Sequence, residues 1–203
     1  GALSSSPETS KQTGQELFLP GERIYDTWQD MISQEAQREE GDRLDMVSIV
    51  TPNHLHAAPA IMALEHGFPV ICDKPLCLST REALEIKDAV ETSDLPFALT
   101  HTYTGYPMVK QARQMISSGD LGPVRKVVVE YPQGWLTDKL EDEGQKQAIW
   151  RSDPTKAGKA GAYGDIGTHA ANMAEYVSGL QITKVLSQMS KVVEGRLLDD
   201  DTS

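Results

Sequence analysis

No stretch of the sequence approaches the ~20 apolar residues that a bilayer-crossing helix needs. The longest candidate, residues 57–64, is short and carries Pro59. No secretory signal is recognisable, although the first residue is Gly rather than Met. A cytoplasmic protein with no membrane partner is expected. Basic residues are in deficit: 19 Lys and Arg stand against 30 Asp and Glu, a formal charge of −11. Nucleic-acid surfaces are built from clustered Lys and Arg, so no nucleic-acid partner is expected. Cysteine is scarce, with Cys72 and Cys77 flanking Lys74 and Pro75. They read as reactive thiols beside a functional lysine or, the favoured reading, as buried reduced thiols of a cytosolic enzyme. A G-x-G-x-x-G turn is also lacking. Such a turn, placed after a first strand, holds a dinucleotide's pyrophosphate on backbone N–H groups. Gly161, Gly164 and Gly167 have the wrong spacing for it and follow no strand.

What is present is ordinary globular composition, 39% hydrophobic and 24% charged over 203 residues. That length suits one large domain or two small ones. Residues 7–17 read as a helix capped by the preceding serines, 23–25 as a short extended piece and 28–38 as a second helix. Residues 45–51 form a β-branched run ended by Pro52 and Asn53, the pattern of a buried parallel strand. The pattern repeats. An amphipathic helix over 56–66 closes at Gly67, a strand over 69–72 ends at Asp73-Lys74-Pro75, a helix spans 80–91, and a strand spans 97–101. Alternation with short loops gives βαβ units on a parallel sheet. This is half of a doubly wound nucleotide-binding domain.

After His101 the texture changes. A helix over 108–118 ends at Gly119, and 124–131 alternates like a strand of a different sheet. A polar loop runs to Trp150, four glycines (158 to 167) lead into a helix ending at Gly179, and 183–193 is again extended. The fold class is therefore α/β: a partial parallel sheet, then an α/β or α+β domain with a largely antiparallel open sheet. The boundary falls near residues 103–106, giving domains 1–104 and 105–203.

Three polar turns carry the chemistry, and in open α/β sheets ligands bind at the C-terminal ends of strands. In the first, Pro52 forces an extended turn, so that Thr51, Asn53 and the following N–H groups can face a cofactor, or Asn53 simply caps a helix. His54 and His56, two apart with no nearby Cys or carboxylate, make a poor metal site, and no metal is expected. In the second, the Lys74 ammonium at the end of a buried strand is either a proton-transfer group or one half of a surface pair with Asp73. In the third, Asp165 and His169 lie four apart on one helix face. They suit a general base with a carboxylate beside it, or an N-cap Asp with a helix-face His.

Taken in chain order, Thr51-Pro52-Asn53-x-x-His56, Asp73-Lys74-Pro75, Trp150-Arg151 and Gly161-x-x-x-Asp165-Ile166-Gly167-x-His169 resemble the Gfo/Idh/MocA oxidoreductase family. The run from His101 to Met108 resembles that family's crossover into its second domain, in a MocA-like branch. The resemblance covers nearly the whole chain. It implies a Rossmann domain followed by a substrate domain that also makes subunit contacts, hence a homo-oligomer, a dimer or tetramer. It implies that Lys74 is the catalytic lysine, with Asp165 and His169 contacting substrate and His169 the base. Thr51, Pro52, Asn53, His56, Asp73, Lys74, His101, Trp150 and Arg151 would bind the cofactor. Asp73 stands where the family usually has Glu, and His101 where it often has Asn. By the same comparison the chain begins after the glycine turn and stops before the closing strands of the second sheet.

The implied activity is NAD(P)-dependent oxidation of a secondary alcohol on a sugar, inositol or related polyol. NAD and NADP are both open, with a lean to NADP or dual use, because residues 2–6 carry no acid for the ribose 2′-hydroxyl. The competing readings are a non-catalytic nucleotide or sugar sensor on the same fold and an inactive fragment of the enzyme. Joint retention of Lys74, Asp165 and His169 disfavours the sensor, which needs none of them.

Overall fold

The computed structural model describes residues 6–203. The stretch 2–5, read above for cofactor choice, lies outside the described residues. The chain divides into two compact units. The first runs up to Thr51 and resumes over Leu55–Leu99; the second takes Pro52–His54 and Thr100–Ser203.

The first unit follows the sequence pattern closely. Helix α1 (Pro7–Glu16) starts where the Ser6 hydroxyl accepts from the Thr9 N–H at 3.1 Å, and α2 (Trp28–Glu35) where Thr27 does the same for Asp30 at 3.0 Å. These hydroxyls satisfy N–H groups that have no partner inside the helix. Strands β1 (Val47–Ile49), β2 (Val70–Cys72) and β3 (Phe97–Leu99) form one parallel sheet in the order β1-β2-β3, with Val47 opposite Val70 and Val70 opposite Phe97. Helix α3 (Ala57–Glu65) joins the first two strands and α4 (Thr80–Ser93) the next two, each a βαβ crossover. Gly67 closes α3 at a φ of 81°, a left-handed angle that side chains resist. Ser79 opens α4, and Glu82 reaches back to the Leu78 N–H at 2.8 Å.

The core lies between sheet and helices and is built from Ile32, Val47, Ile49, Leu64, Phe68, Val70 and Cys72, with Ala60 and Ala63 letting α3 approach. Each large apolar side chain buried there stabilises the unit by about 1.5–3 kcal/mol.

The second unit departs from expectation in three places. Residues 124–131 pair with no strand among the described residues, and Val127, Val128 and Val129 are exposed. Strand preference reflects fit to a half-buried pleated surface, and alternation alone does not supply the neighbour. Over 183–193 only β4 (Met189–Ser190) is a strand, paired antiparallel with β5 (Asp201–Thr202), so the second sheet is antiparallel but small. The polar loop ends early, because Lys146–Arg151 forms a short helix, α6, whose first turn is capped by the Gln145 side chain on the Ala148 N–H at 2.9 Å. The other helices are α5 (Pro107–Ser117), α7 (Pro154–Ala157) and α8 (Thr168–Ser178); α8 continues a wide π-type turn over Tyr163–Gly167 and ends at Gly179.

Candidate active site

In the first unit the functional turns sit at the C-terminal ends of β1 and β2. His56 is wholly buried, and its ring nitrogens lie 2.7 Å from the Pro75 carbonyl oxygen and 2.8 Å from that of Thr51. The ring therefore fastens the turn after β1 to the turn carrying Lys74. It shapes the strand-end surface through backbone, and with both nitrogens engaged it is no metal ligand. The Thr51 hydroxyl donates to the Leu55 carbonyl at 3.0 Å, which folds the first turn on itself. Asp73 and Lys74 are half-buried, the Lys74–Pro75 bond is cis, and the Asp73 N–H donates to the Ile49 carbonyl at 2.9 Å. The Lys74 backbone thereby follows directly from the sheet. Burial pushes the Cys72 thiol up to about 12, and its Sγ points at the Asp73 carbonyl at 3.4 Å. Cys77 is half-buried and also raised, chiefly by burial. Neither is a thiolate near neutral pH, which agrees with the reduced, unreactive reading.

In the second unit two groups of side chains stand out. The first surrounds His169, which is only 8% exposed. Its ring lies 5.5 Å from His101 edge-on and 4.6 Å from Tyr103, with Tyr131 at 6.4 Å, centroid to centroid. The Tyr103 and Tyr131 hydroxyls share a hydrogen bond of 2.5 Å. That bond, burial and nearby negative charge push the Tyr131 phenol up to about 12, so it stays protonated. His169 thus stands in the first turn of α8 within an aromatic wall, with His101, Tyr103 and Tyr131 around it.

The second group lines a cavity of about 280 Å³. Arg151, at the end of α6, donates to Asp165 at 3.2 Å and stacks over Trp150 at 4.1 Å, with Trp135 at 5.7 Å. Asn53 is buried beside it, donating to the Ala157 carbonyl at 3.1 Å. The turn over Tyr163–Gly167 is capped by Asp199, whose carboxylate accepts from the Gly161 N–H at 2.6 Å and the Tyr163 N–H at 2.8 Å. Opening α8 this way is what sets Asp165 and His169 on consecutive turns.

Of the residues singled out from sequence, the structure groups Thr51, His56, Asp73 and Lys74 in the first unit. In the second it brings Asn53, Trp150, Arg151 and Asp165 onto one cavity, and His101 against His169. Pro52 precedes the short turn that begins at Asn53. Sequence reasoning missed Tyr103, Tyr131, Trp135 and Asp199 as site residues. Tyr103 lay inside a quoted motif; the others are joined to the site by contacts across many residues, with no local pattern to find them.

Comparison with known proteins gives two family matches. Residues 1–101 match the model of the oxidoreductase family with an NAD-binding Rossmann fold, and residues 109–203 match the GFO/IDH/MocA C-terminal domain. An uncharacterized oxidoreductase of Bacillus subtilis, YfiI, is 34% identical over 100% of this chain and 51% of its own length. Levoglucosan dehydrogenase of Pseudarthrobacter phenanthrenivorans is 36% identical over 67% of this chain and 33% of its own. The crystal structure of an inositol dehydrogenase homologue from Azotobacter vinelandii, complexed with NAD+, superposes with a TM-score of 0.91 at 32% identity, over 98% of this chain and 51% of that one. The chain thus spans about half the length of two of these relatives and about a third of the third.

Proposed function

The chain belongs to the GFO/IDH/MocA oxidoreductase family, and from that premise we propose that it carries catalytic machinery of a nicotinamide-dependent dehydrogenase acting on a secondary alcohol of a sugar, inositol or related polyol. The observation that carries the reading is the start of α8. There a buried His169 stands one turn after Asp165, walled by His101, Tyr103 and Tyr131. A buried imidazole followed back to a carboxylate one turn away is a proton-transfer arrangement, and a helix start built only for packing needs neither.

His169 takes the proton of the substrate hydroxyl, and Asp165, itself held by Arg151, makes the second polar contact to the substrate. Lys74 supplies the positive charge that stabilises the developing alkoxide, because an ammonium placed where negative charge appears is worth most in a water-poor site. The residues of the first unit fit the nicotinamide half of a dinucleotide. The turns at the ends of β1 and β2 lie where such ligands bind. The Asp73 carboxylate suits a ribose hydroxyl, and the His56 fastener keeps both turns in shape. When bound, NAD or NADP supplies the hydride chemistry. Membership in the family and relatives named for levoglucosan and inositol support the polyol reading. A homo-oligomer formed through the second unit belongs to the same proposal.

The test is Lys74→Ala in the full-length protein. Turnover of polyols falls by about 10²–10⁴-fold, the scale of a lost proton-transfer or charge-stabilising group, while cofactor affinity measured by calorimetry falls far less, because the other strand-end contacts remain. Near-normal turnover in this variant would remove Lys74 from the mechanism.

A further inference from the structure

We infer that the cavity beside Asp165 is a subsite for one neutral sugar or cyclitol ring, and that it rejects phosphorylated and carboxylated sugars. This deepens the dehydrogenase reading and rests on it. The cavity measures about 280 Å³, at the bottom of the range of roughly 300–1,000 Å³ that small-molecule pockets occupy. That is room for a single ring. Its walls include Trp135 and Trp150, and flat aromatic faces suit the C–H faces of a saturated ring, which bury apolar surface without a charge.

Charge decides the rest. The walls hold two cations, Arg151 and Arg196, against four carboxylates, Asp165, Asp199, Asp200 and Asp201. Neither arginine is available to an incoming anion. Arg151 is paired with Asp165 and stacked on Trp150. Arg196 is nearly buried and gripped by Glu141 at 2.9 and 3.2 Å, by the Leu136 carbonyl at 2.6 Å and by the Asp138 carbonyl at 2.9 Å. Recognition of a phosphate or carboxylate asks for an uncommitted fork of N–H donors. An anion entering here would meet excess negative charge in a partly desolvated site, a juxtaposition that discriminates strongly between partners. Hydroxyl groups, by contrast, can donate to carboxylates such as Asp165 with no such conflict.

The experiment pairs neutral rings with their charged counterparts on the full-length protein: D-glucose with glucose 6-phosphate and glucuronate, and myo-inositol with an inositol monophosphate. Both hydride transfer and direct binding by calorimetry are followed. The expected result is at least about tenfold preference for the neutral member of each pair, shrinking as salt is raised because exposed charge is screened. Trp135→Ala weakens neutral-ring binding by about tenfold with cofactor affinity unchanged, Trp135→Phe restores most of it, and Asp201→Lys narrows the preference by about two- to five-fold. Equal or better binding of the charged members would overturn the inference, and so would a failure of every neutral ring to bind. Binding of neutral rings that depends on Trp135, with no hydride transfer, would keep the subsite and sink the dehydrogenase reading instead.

Discussion

Tyr131 shows what a single hydroxyl can do at the edge of this site. Its bond to Tyr103 joins two segments 28 residues apart and holds the Tyr103 ring against His169. Tyr131→Phe leaves the ring in place and removes the tie. We expect turnover to fall by up to about tenfold, the scale of one net hydrogen bond. The pair also has a pH signature. Because the folded Tyr131 phenol is raised to about 12, the stability it contributes is complete below the ordinary tyrosine value of about 10 and is lost as the pH rises through its folded value. Urea unfolding at alkaline pH should therefore show a steeper decline in the native protein than in Tyr131→Phe; identical profiles would deny the tie any role. At this scale Lys74 and Asn53 were legible as residues of strand-end turns and Asp165 as a residue of the turn that opens a helix, because each stands in a local pattern. Tyr131, Trp135 and Asp199 do not, because their importance comes from partners far along the chain.

Elements are joined by two buried carboxylates. Glu35, at the end of α2, accepts from Arg23 at 2.9 and 2.6 Å, from the Tyr25 hydroxyl at 2.6 Å and from the Leu44 N–H at 3.2 Å. Burial works to raise its pKa, but the bonds from Arg23 and Tyr25 and the charges of Arg23 and Arg38 outweigh it, leaving the group below the usual glutamate range. A lowered carboxylate stabilises the fold above the ordinary value of about 4.3 and loses that contribution as the pH falls through its folded pKa. Glu35→Gln should destabilise by about 2–3 kcal/mol at neutral pH and flatten the acid limb of the stability curve; an unchanged acid limb would contradict this. Asp199 plays the corresponding part in the second unit, and there Gly161 is indispensable. A Cβ at 161 would stand 2.2 Å from the Asp199 carbonyl oxygen and 3.0 Å from Leu198. Gly161→Ala should destabilise by about 2 kcal/mol or more and displace the turn before α8, read as a lower thermal midpoint with reduced polyol turnover. Helices and parallel strands were legible because caps and periodicity are local. The strand expected over 124–131 was not formed, because a ladder needs a neighbour as well as a suitable sequence.

On the scale of the whole molecule, the proposed roles are divided between the two units, with Lys74 in one and Asp165 and His169 in the other. No helix of the described residues is long and apolar enough to cross a membrane. The change of texture after His101 was read as a boundary near residues 103–106; in the structure the second unit takes up the chain at Thr100, directly after β3, and also includes Pro52–His54, which no local pattern marks. The size of the second sheet was not readable, since alternating residues state a preference for pairing without saying what pairs. The central claim is that the protein moves hydride between a polyol carbon and a nicotinamide. The measurement that tests it most directly uses the full-length protein, NAD or NADP, and a polyol panel deuterated at the carbinol carbons. Mass analysis then follows the cofactor. The account predicts that deuterium appears in the reduced nicotinamide and that Lys74→Ala suppresses its appearance. Tight cofactor binding with no deuterium transfer from any polyol would contradict it and mark the protein as a nucleotide-binding relative without this chemistry.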